Sequence, residues 1–211
     1  MCGRFVLMSD LSVISDDFNI QEVTYDYRPS SDVLPGHNVA AVIRDGVNRL
    51  VQFRWGLIPS WARDPSIGRN LINARAETLA AKPSFQNAFK KRRCLIIADG
   101  LYEFLKEGKK KISFFFRLKT GKPFGFAGLY ETWTSPEGQA VNTCTIITTE
   151  PNDLIRPIHN RMPVILPKEK EDLWLDPAVF NQRELSPILQ PYPSAEMEEV
   201  SPTSPADFSK R

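Results

Sequence analysis

Apolar residues in this chain fall mostly in short alternating runs broken by turn residues, and only here and there at helical spacing. Alternation sends every second side chain to one face and marks strands with at least one buried side. Phe5-Val6-Leu7 predicts a short strand, and residues 39–44 and 50–57 predict a hairpin around the turn-forming Asp45-Gly46. From Cys94 onward, strand-like runs follow at close spacing: 94–98, 101–105, 112–118, 124–130 and 141–149. Asp99-Gly100, Glu107-Gly108, Thr120-Gly121 and Glu137-Gly138 lie between them as turns. This pattern predicts an antiparallel meander, and Val164-Ile165-Leu166 adds a buried strand. Helical spacing is confined to Leu11, Ile14 and Phe18 after a Ser9/Asp10 cap, to the Phe85/Phe89 segment, and to residues 168–175 and 177–189. Residues 28–38 predict a Pro/Gly loop. The fold class that follows is α+β: a single domain over residues 1–200, built on a mostly antiparallel, curled or partly closed β-sheet with short peripheral helices. Residues 201–211, rich in Pro and Ser, are expected to form a loosely ordered tail.

Composition changes this picture little: 42% hydrophobic and 25% charged residues suit an ordinary globular protein. No apolar run approaches the roughly 20 residues of a membrane span. The start of the chain lacks the basic and apolar regions of a secretory signal, so a cytoplasmic, membrane-free protein is expected. Three cysteines, Cys2, Cys94 and Cys144, are too few and too scattered for a disulfide framework or a zinc site. With no phosphate loop or metal-ligand cluster either, no metal and no cofactor are expected.

Charge changes it more. The net charge is only +2, yet residues 54–122 hold 16 Lys/Arg against 5 Asp/Glu, flanked by segments of net −3 and −6. A basic middle is either a solvated face or the footprint of a polyanion.

Four positions carry candidate chemistry. Removal of Met1 would leave Cys2 with an α-amine and a thiol on adjacent carbons, able to trap an aldehyde first as an imine and then as a thiazolidine. Reference pKa values of roughly 8 and 8.5 leave both groups partly deprotonated near neutrality. In Leu71–Thr78, the polar Asn73, Arg75 and Glu77 alternate and share one face if the segment is extended. Glu103 stands between Tyr102 and Phe104, where a strand flanked by core residues would desolvate it and raise its pKa. His159 precedes the apolar run 164–166, and a structural role competes there with a proton-transfer one. Trp55 and Trp61, around a Pro-Ser bend, serve either as core or as a stacking platform for a base. The cluster Lys90-Lys91-Arg92-Arg93 suits a helix C-terminus, which accounts for part of it without any ligand. His37 is given no role.

These pieces together resemble the SOS-response-associated peptidase (SRAP) family, the abasic-site processing proteins. The resemblance rests on Cys2-Gly3-Arg4-Phe5, Trp55-Gly56-Leu57-Ile58-Pro59, Asn73-Ala74-Arg75-Ala76-Glu77-Thr78, Ala98-Asp99-Gly100-Leu101-Tyr102-Glu103 and His159-Asn160-Arg161-Met162-Pro163, in that order. It implies covalent capture of abasic sites in single-stranded DNA, with Cys2 as nucleophile and Asn73 holding the amine or opened sugar; a monomer is expected by default, not from the resemblance. Glu103 would shuttle protons, and His159 would serve the sugar oxygen, strand elimination or reversal. Arg4 and Arg75 would clamp phosphates, with Pro35, Trp61, Phe104 and Arg161 as further DNA contacts. Lyase activity and peptidase activity on Met1 are also implied. The chain departs from the family at Asp32, at Phe104 where Trp is common, and after Val200-Ser201. Two other readings remain at this stage: a hydrolase using Cys2 with His159 as base, and a non-catalytic single-stranded nucleic-acid binder.

Overall fold

A strand that is apolar on both faces has to sit inside a sheet with both sides covered, and the chain is arranged around one such strand. The computed structural model describes residues 2–200. Its first half supplies β1 (Phe5–Leu7), α1 (Leu11–Asp17), β2 (Glu22–Val23), β3 (Ser30–Val33), the hairpin β4 (Asn38–Asp45) and β5 (Val47–Trp55), and β6 (Asn73–Arg75). The second half supplies α2 (Gln86–Lys91), β7 (Arg93–Ala98), β8 (Gly100–Glu107), β9 (Lys110–Leu118), β10 (Phe124–Thr134) and β11 (Ala140–Thr149). It ends with β12 (Met162–Pro163), α3 (Lys168–Leu175), α4 (Gln182–Leu185) and β13 (Met197–Val200). Every residue of β7 is buried.

The larger sheet runs β12-β11-β10-β7-β4-β5-β2, with β6 added on β11. A short parallel pairing, Thr143↔Arg54 and Cys144↔Trp55, joins β11 back to β5. This closes β5, β4, β7, β10 and β11 into a ring, the partly closed barrel that the curled-sheet expectation described. The smaller sheet, β13-β9-β8-β1-β3, packs over one side. Its Phe5, Leu101 and Phe116 share a core with Val39, Ala41, Trp55, Cys94 and Ile96 of the ring. The alternate residues of the ring, Val42, Leu95 and Ile97, meet Ile14, Phe89, Trp174 and Leu175 in a second core. The two cores lie on opposite faces of β4 and β7, as period-two alternation requires.

Several expectations are corrected. The meander is interrupted: β8 and β9 pair with each other in the smaller sheet, while β10 returns to pair with β7. The 28–38 loop contains β3, which pairs with β1. Of the helix expected over 177–189, only α4 and a 3-10 turn at Ser186–Ile188 form, and Pro187 within that turn has no backbone N–H to carry the α-helical ladder on. Residues 164–166 contribute a single bridge, Ile165 to Phe126, after β12. Asp10 takes the N-cap position of α1 without a side-chain bond. Asp99 braces that turn instead, accepting from the Met8 and Ser9 backbone N–H groups and the Ser9 hydroxyl. The tail expected over 201–211 lies outside the described residues. No helix among the described residues is long and apolar enough to cross a membrane.

Part of the basic cluster also turns inward. Arg93 is 5% exposed and donates to the carbonyl oxygens of Phe89, Lys90, Trp174, Asp176 and Val179, tying α2 and α3 to the barrel. Arg92 pairs with Glu131 at 2.7 Å. Only Lys90 and Lys91 remain exposed at the helix end.

Candidate active site

Cys2 is fully buried, in the core shared by the two sheets. The strand after it fixes this position, because β1 is clamped between β3 and β8. Burial pushes the Cys2 thiol well above its ordinary value, and the negative charge of Glu103 pushes the same way. A hydrogen bond from the Arg4 backbone opposes both.

Asn73 opens β6, which lies parallel to β11 through Asn73↔Ile146. Its Nδ2 donates to the Cys2 carbonyl oxygen at 2.9 Å. Its Oδ1 is buried without a hydrogen-bond partner among the described residues. The preceding residue is held as well, since Trp55 Nε1 donates to the Ile72 carbonyl at 2.8 Å. Trp55 is thus a core residue with a positioning bond. Beside it, Gly56 and Gly68 cross closely: a Cβ on Gly68 would stand 2.8 Å from the Gly56 carbonyl oxygen, and one on Gly56 would meet Gly68 at the same distance. Gly56 also has φ +130, a conformation other residues avoid.

Glu103 is 2% exposed and lies on the core side of β8, opposite to Tyr102 and Phe104. Burial raises its carboxyl to about 7, against an opposing hydrogen bond from the Phe104 backbone. A residue that reads in the sequence as a polar interruption of a strand therefore becomes a group that exchanges protons near neutrality. His159 is half-buried, and its Nδ1 accepts from the Arg161 backbone N–H at 3.0 Å. Burial holds the imidazole below its usual value. The negative charge of Glu103 acts on the Cys2 thiol, so the carboxyl lies near the nucleophile.

The expected DNA contacts are placed differently from one another. Arg4 pairs with Asp32 at 2.7 Å, and its guanidinium lies 4.8 Å from the Tyr102 ring centre. Arg75 ends β6 and is exposed, its backbone carbonyl accepting from Thr78 and Leu79, while its side chain makes no ion pair or hydrogen bond among the described residues. Arg161 is held by a bidentate pair to Glu77, at 2.7 and 3.0 Å, and by the Thr148 carbonyl at 2.6 Å. Glu77 lies beyond the end of β6, so the shared face expected for residues 73, 75 and 77 is strand only through Arg75. Trp61 is 57% exposed, next to Ala62, whose carbonyl takes the Trp133 indole N–H at 2.7 Å. Pro35 borders an open cleft of about 550 Å³ with Arg54, Trp55 and Arg69. Phe104 is half-buried with Lys111 Nζ 3.8 Å from its ring centre. A groove of similar size, about 560 Å³ beside Phe89 and Phe180, holds none of these residues.

The sequence reading did not foresee the partnerships Arg4–Asp32 and Arg161–Glu77. Each joins residues remote in sequence, 28 positions apart for the first and 84 for the second, so no local spacing announces them.

The fold and the residues gathered at Cys2 define a recognisable class. The chain belongs to the SOS response associated peptidase (SRAP) family, whose model matches residues 1–204. It is 49% identical over 202 residues to the abasic site processing protein YoqW of Bacillus subtilis, covering 94% of this chain and 90% of that one. It is 31% identical over 182 residues to the abasic site processing protein YedK of Escherichia coli, covering 83% and 79%. Among solved structures, it resembles a protein from Bacteroides thetaiotaomicron at TM-score 0.87 and 28% identity, covering 100% of this chain and 99% of that one.

Proposed function

We propose that this chain captures abasic sites in single-stranded DNA as a covalent thiazolidine on Cys2, once Met1 has been removed. The reading is supported by the Asn73 amide bonded to the Cys2 carbonyl and by the buried Glu103 carboxyl acting on the Cys2 thiol, at the residue that would bear the 1,2-aminothiol. The electrophile is the ring-opened aldehyde of the abasic deoxyribose. The Cys2 amine adds to it, and the resulting carbinolamine loses water to give an imine. The thiol then adds to the imine carbon while its proton passes to nitrogen, so one water is released overall.

Glu103, raised to about 7, suits both proton transfers: as an acid it delivers a proton to the departing hydroxyl, and as a base it receives the thiol proton. It also answers the problem that burial sets, since a thiol held protonated needs a base beside it. Asn73, bonded to the Cys2 carbonyl, fixes the nucleophile and presents its partnerless Oδ1 to the amine or the sugar. His159 takes a proton to or from the sugar oxygen, and with Glu103 supplies the acid–base pair for strand elimination. Removal of Met1 is the peptide hydrolysis this reading requires. Arg75 is free to meet a phosphate, and Arg4 after release from Asp32. The protein acts as a monomer on DNA in the cytoplasm, shielding the lesion during repair.

The test is incubation with an abasic single-stranded oligonucleotide, followed by denaturing electrophoresis. An adduct that survives denaturation is expected, with none from Cys2→Ala and none from protein retaining Met1. Equal adduct from Cys2→Ala sinks the proposal. Turnover of peptides without DNA would favour the hydrolase, and salt-sensitive binding indifferent to the lesion would favour a simple binder.

A further inference from the structure

The hairpin formed by β8 and β9 extends past every other strand it touches. β1 meets β8 only at Gly100 and Leu101 in the ladder, and β13 meets β9 only from Phe115 to Leu118. Beyond those contacts the register continues Glu103↔Phe114, Phe104↔Ser113, Leu105↔Ile112, Lys106↔Lys111 and Glu107↔Lys110 around a turn at Gly108 and Lys109. Among the described residues this outer part pairs only with itself, as a two-stranded arm rooted at Glu103. Its tip carries Lys106, Lys109, Lys110 and Lys111 against Glu107, all exposed and none in a salt bridge among the described residues.

The sign and placement of these charges are informative. Charged residues keep a free-standing ribbon from pairing with other chains, but either sign does that. Lys106 sits directly opposite Lys111, a like-charge pair that works against the hairpin, where an opposite-charge pair would have stabilised it. The alternation of β8 puts Tyr102, Phe104 and Lys106 on one face. Arg4 lies over Tyr102, and Lys111 lies over Phe104. Tyr102 is buried beneath Arg4, so solvent meets a stripe of cations from Arg4 out to the tip with the half-buried Phe104 ring among them. A stacking ring between cations suits a single nucleic-acid strand.

We infer that the β8–β9 arm is a second nucleic-acid contact, binding the phosphates of the same DNA strand beyond the lesion. The inference rests on the proposed capture of abasic DNA only for which strand is bound. At about 3.4 Å per residue, Lys106 lies about 10 Å beyond Glu103 and the turn up to about 20 Å. With about 3.4 Å per phosphate along a stacked strand, the arm meets DNA on the order of three to six nucleotides from the site.

The experiment measures equilibrium binding of undamaged single strands of about 20 and about 5 nucleotides over a salt series. It compares the wild type with the triple variant Lys106→Gln, Lys109→Gln, Lys111→Gln. Each lost single-strand phosphate contact removes about 0.7 from the slope of log affinity against log salt, so the expected change is about 2 for the long strand. Affinity for the long strand should fall about tenfold or more at low salt, with little change for the short one. A second variant, Lys106→Glu, creates an opposite-charge pair with Lys111, so it supports the hairpin while weakening phosphate binding; it too should lose affinity for the long strand. Unchanged slope and affinity in both variants, or equal losses on short and long strands, would overturn the inference. Adduct formation on a short abasic strand is measured alongside and should be unaffected. If no protein forms an adduct, the capture reading fails, while the salt series still decides the role of the arm.

Discussion

Asn73 donates from Nδ2 to the carbonyl oxygen of Cys2 at 2.9 Å, across 71 positions of sequence. The bond ties β6, and through it β11, to the first residues of the chain. Asn73→Ala is expected to slow adduct formation about 10- to 100-fold by loosening the geometry of the nucleophile. Stability should fall by only about 1 kcal/mol, the net worth of one hydrogen bond. Single-turnover adduct kinetics beside thermal melting separate the two effects, and a rate like wild type's would remove Asn73 from the mechanism.

In the proposed capture, Glu103 should make adduct formation sensitive to pH near neutrality. Its carboxyl rises from 4.5 to about 7 on burial. Its contribution to stability is therefore complete below about 4.5 and is lost as pH rises through about 7. Glu103→Gln, which cannot ionise, should be more stable than wild type at about pH 8, by on the order of 1–3 kcal/mol, and show no such gain at about pH 4.5. The same variant should lose about 100-fold or more in adduct rate together with the pH step near neutrality. A variant that keeps that step would show another group to be responsible.

Glu77 acts at one remove from His159. It grips the Arg161 side chain while the Arg161 backbone donates to His159 Nδ1. The hydrogen bonds from the Arg161 guanidinium hold the Glu77 carboxyl below its ordinary value, so the grip lasts through neutral pH and fails only in acid. Glu77→Ala should reduce adduct formation about tenfold and move the part of the pH profile that His159→Ala removes. If Glu77→Ala lowers melting temperature yet leaves that profile in place, its role is structural alone.

Much of this was readable in the residues, but at uneven depth. The β4–β5 hairpin and strands β7 to β11 announce themselves by alternation and by glycine turns. Glu103 stands out because a lone carboxylate breaks a strand's apolar pattern. Sheet membership does not show, because β8–β9 and β10–β11 look alike as hairpins and only distant partners assign them to different sheets. The two-residue strands β2 and β12 exist because neighbours hold them, not by propensity. Arg93 reads as one more cation at a helix end, and only the arrival of α3 from 81 residues away reveals an interior anchor. Asp32 reads as an unwelcome negative charge, and only the folded β1–β3 pair shows that it holds Arg4.

That pair gives a fourth prediction. Asp32→Asn removes the charge that engages Arg4 at 2.7 Å. Affinity for single-stranded DNA should rise severalfold, with a steeper salt dependence by about 0.7, the value of one added phosphate contact. Binding titrations over a salt series check it, and an unchanged slope would show that Arg4 does not reach a phosphate.

Gly68 tests the frame behind the site. A methyl group there meets the Gly56 backbone oxygen at 2.8 Å and the Ile58 side chain at 3.0 Å, and the nearer contact is backbone that cannot swing aside. Gly68→Ala should cost about 2 kcal/mol or more and displace Trp55 and Ile72, slowing adduct formation as well. Melting temperature and adduct rate should fall together, and a variant that melts like wild type would show that the two loops have room to part.

The burial of Cys2 has one more consequence, for damage by oxidants. Peroxide attacks thiolates that solvent can reach. The Cys2 sulfur is out of contact with solvent and is held protonated by its surroundings. Sulfenylation and mixed disulfides with small thiols should therefore be slow. On the proposed capture, a nucleophile spent on peroxide could not close a ring on an aldehyde, so the burial would conserve this sulfur for that step.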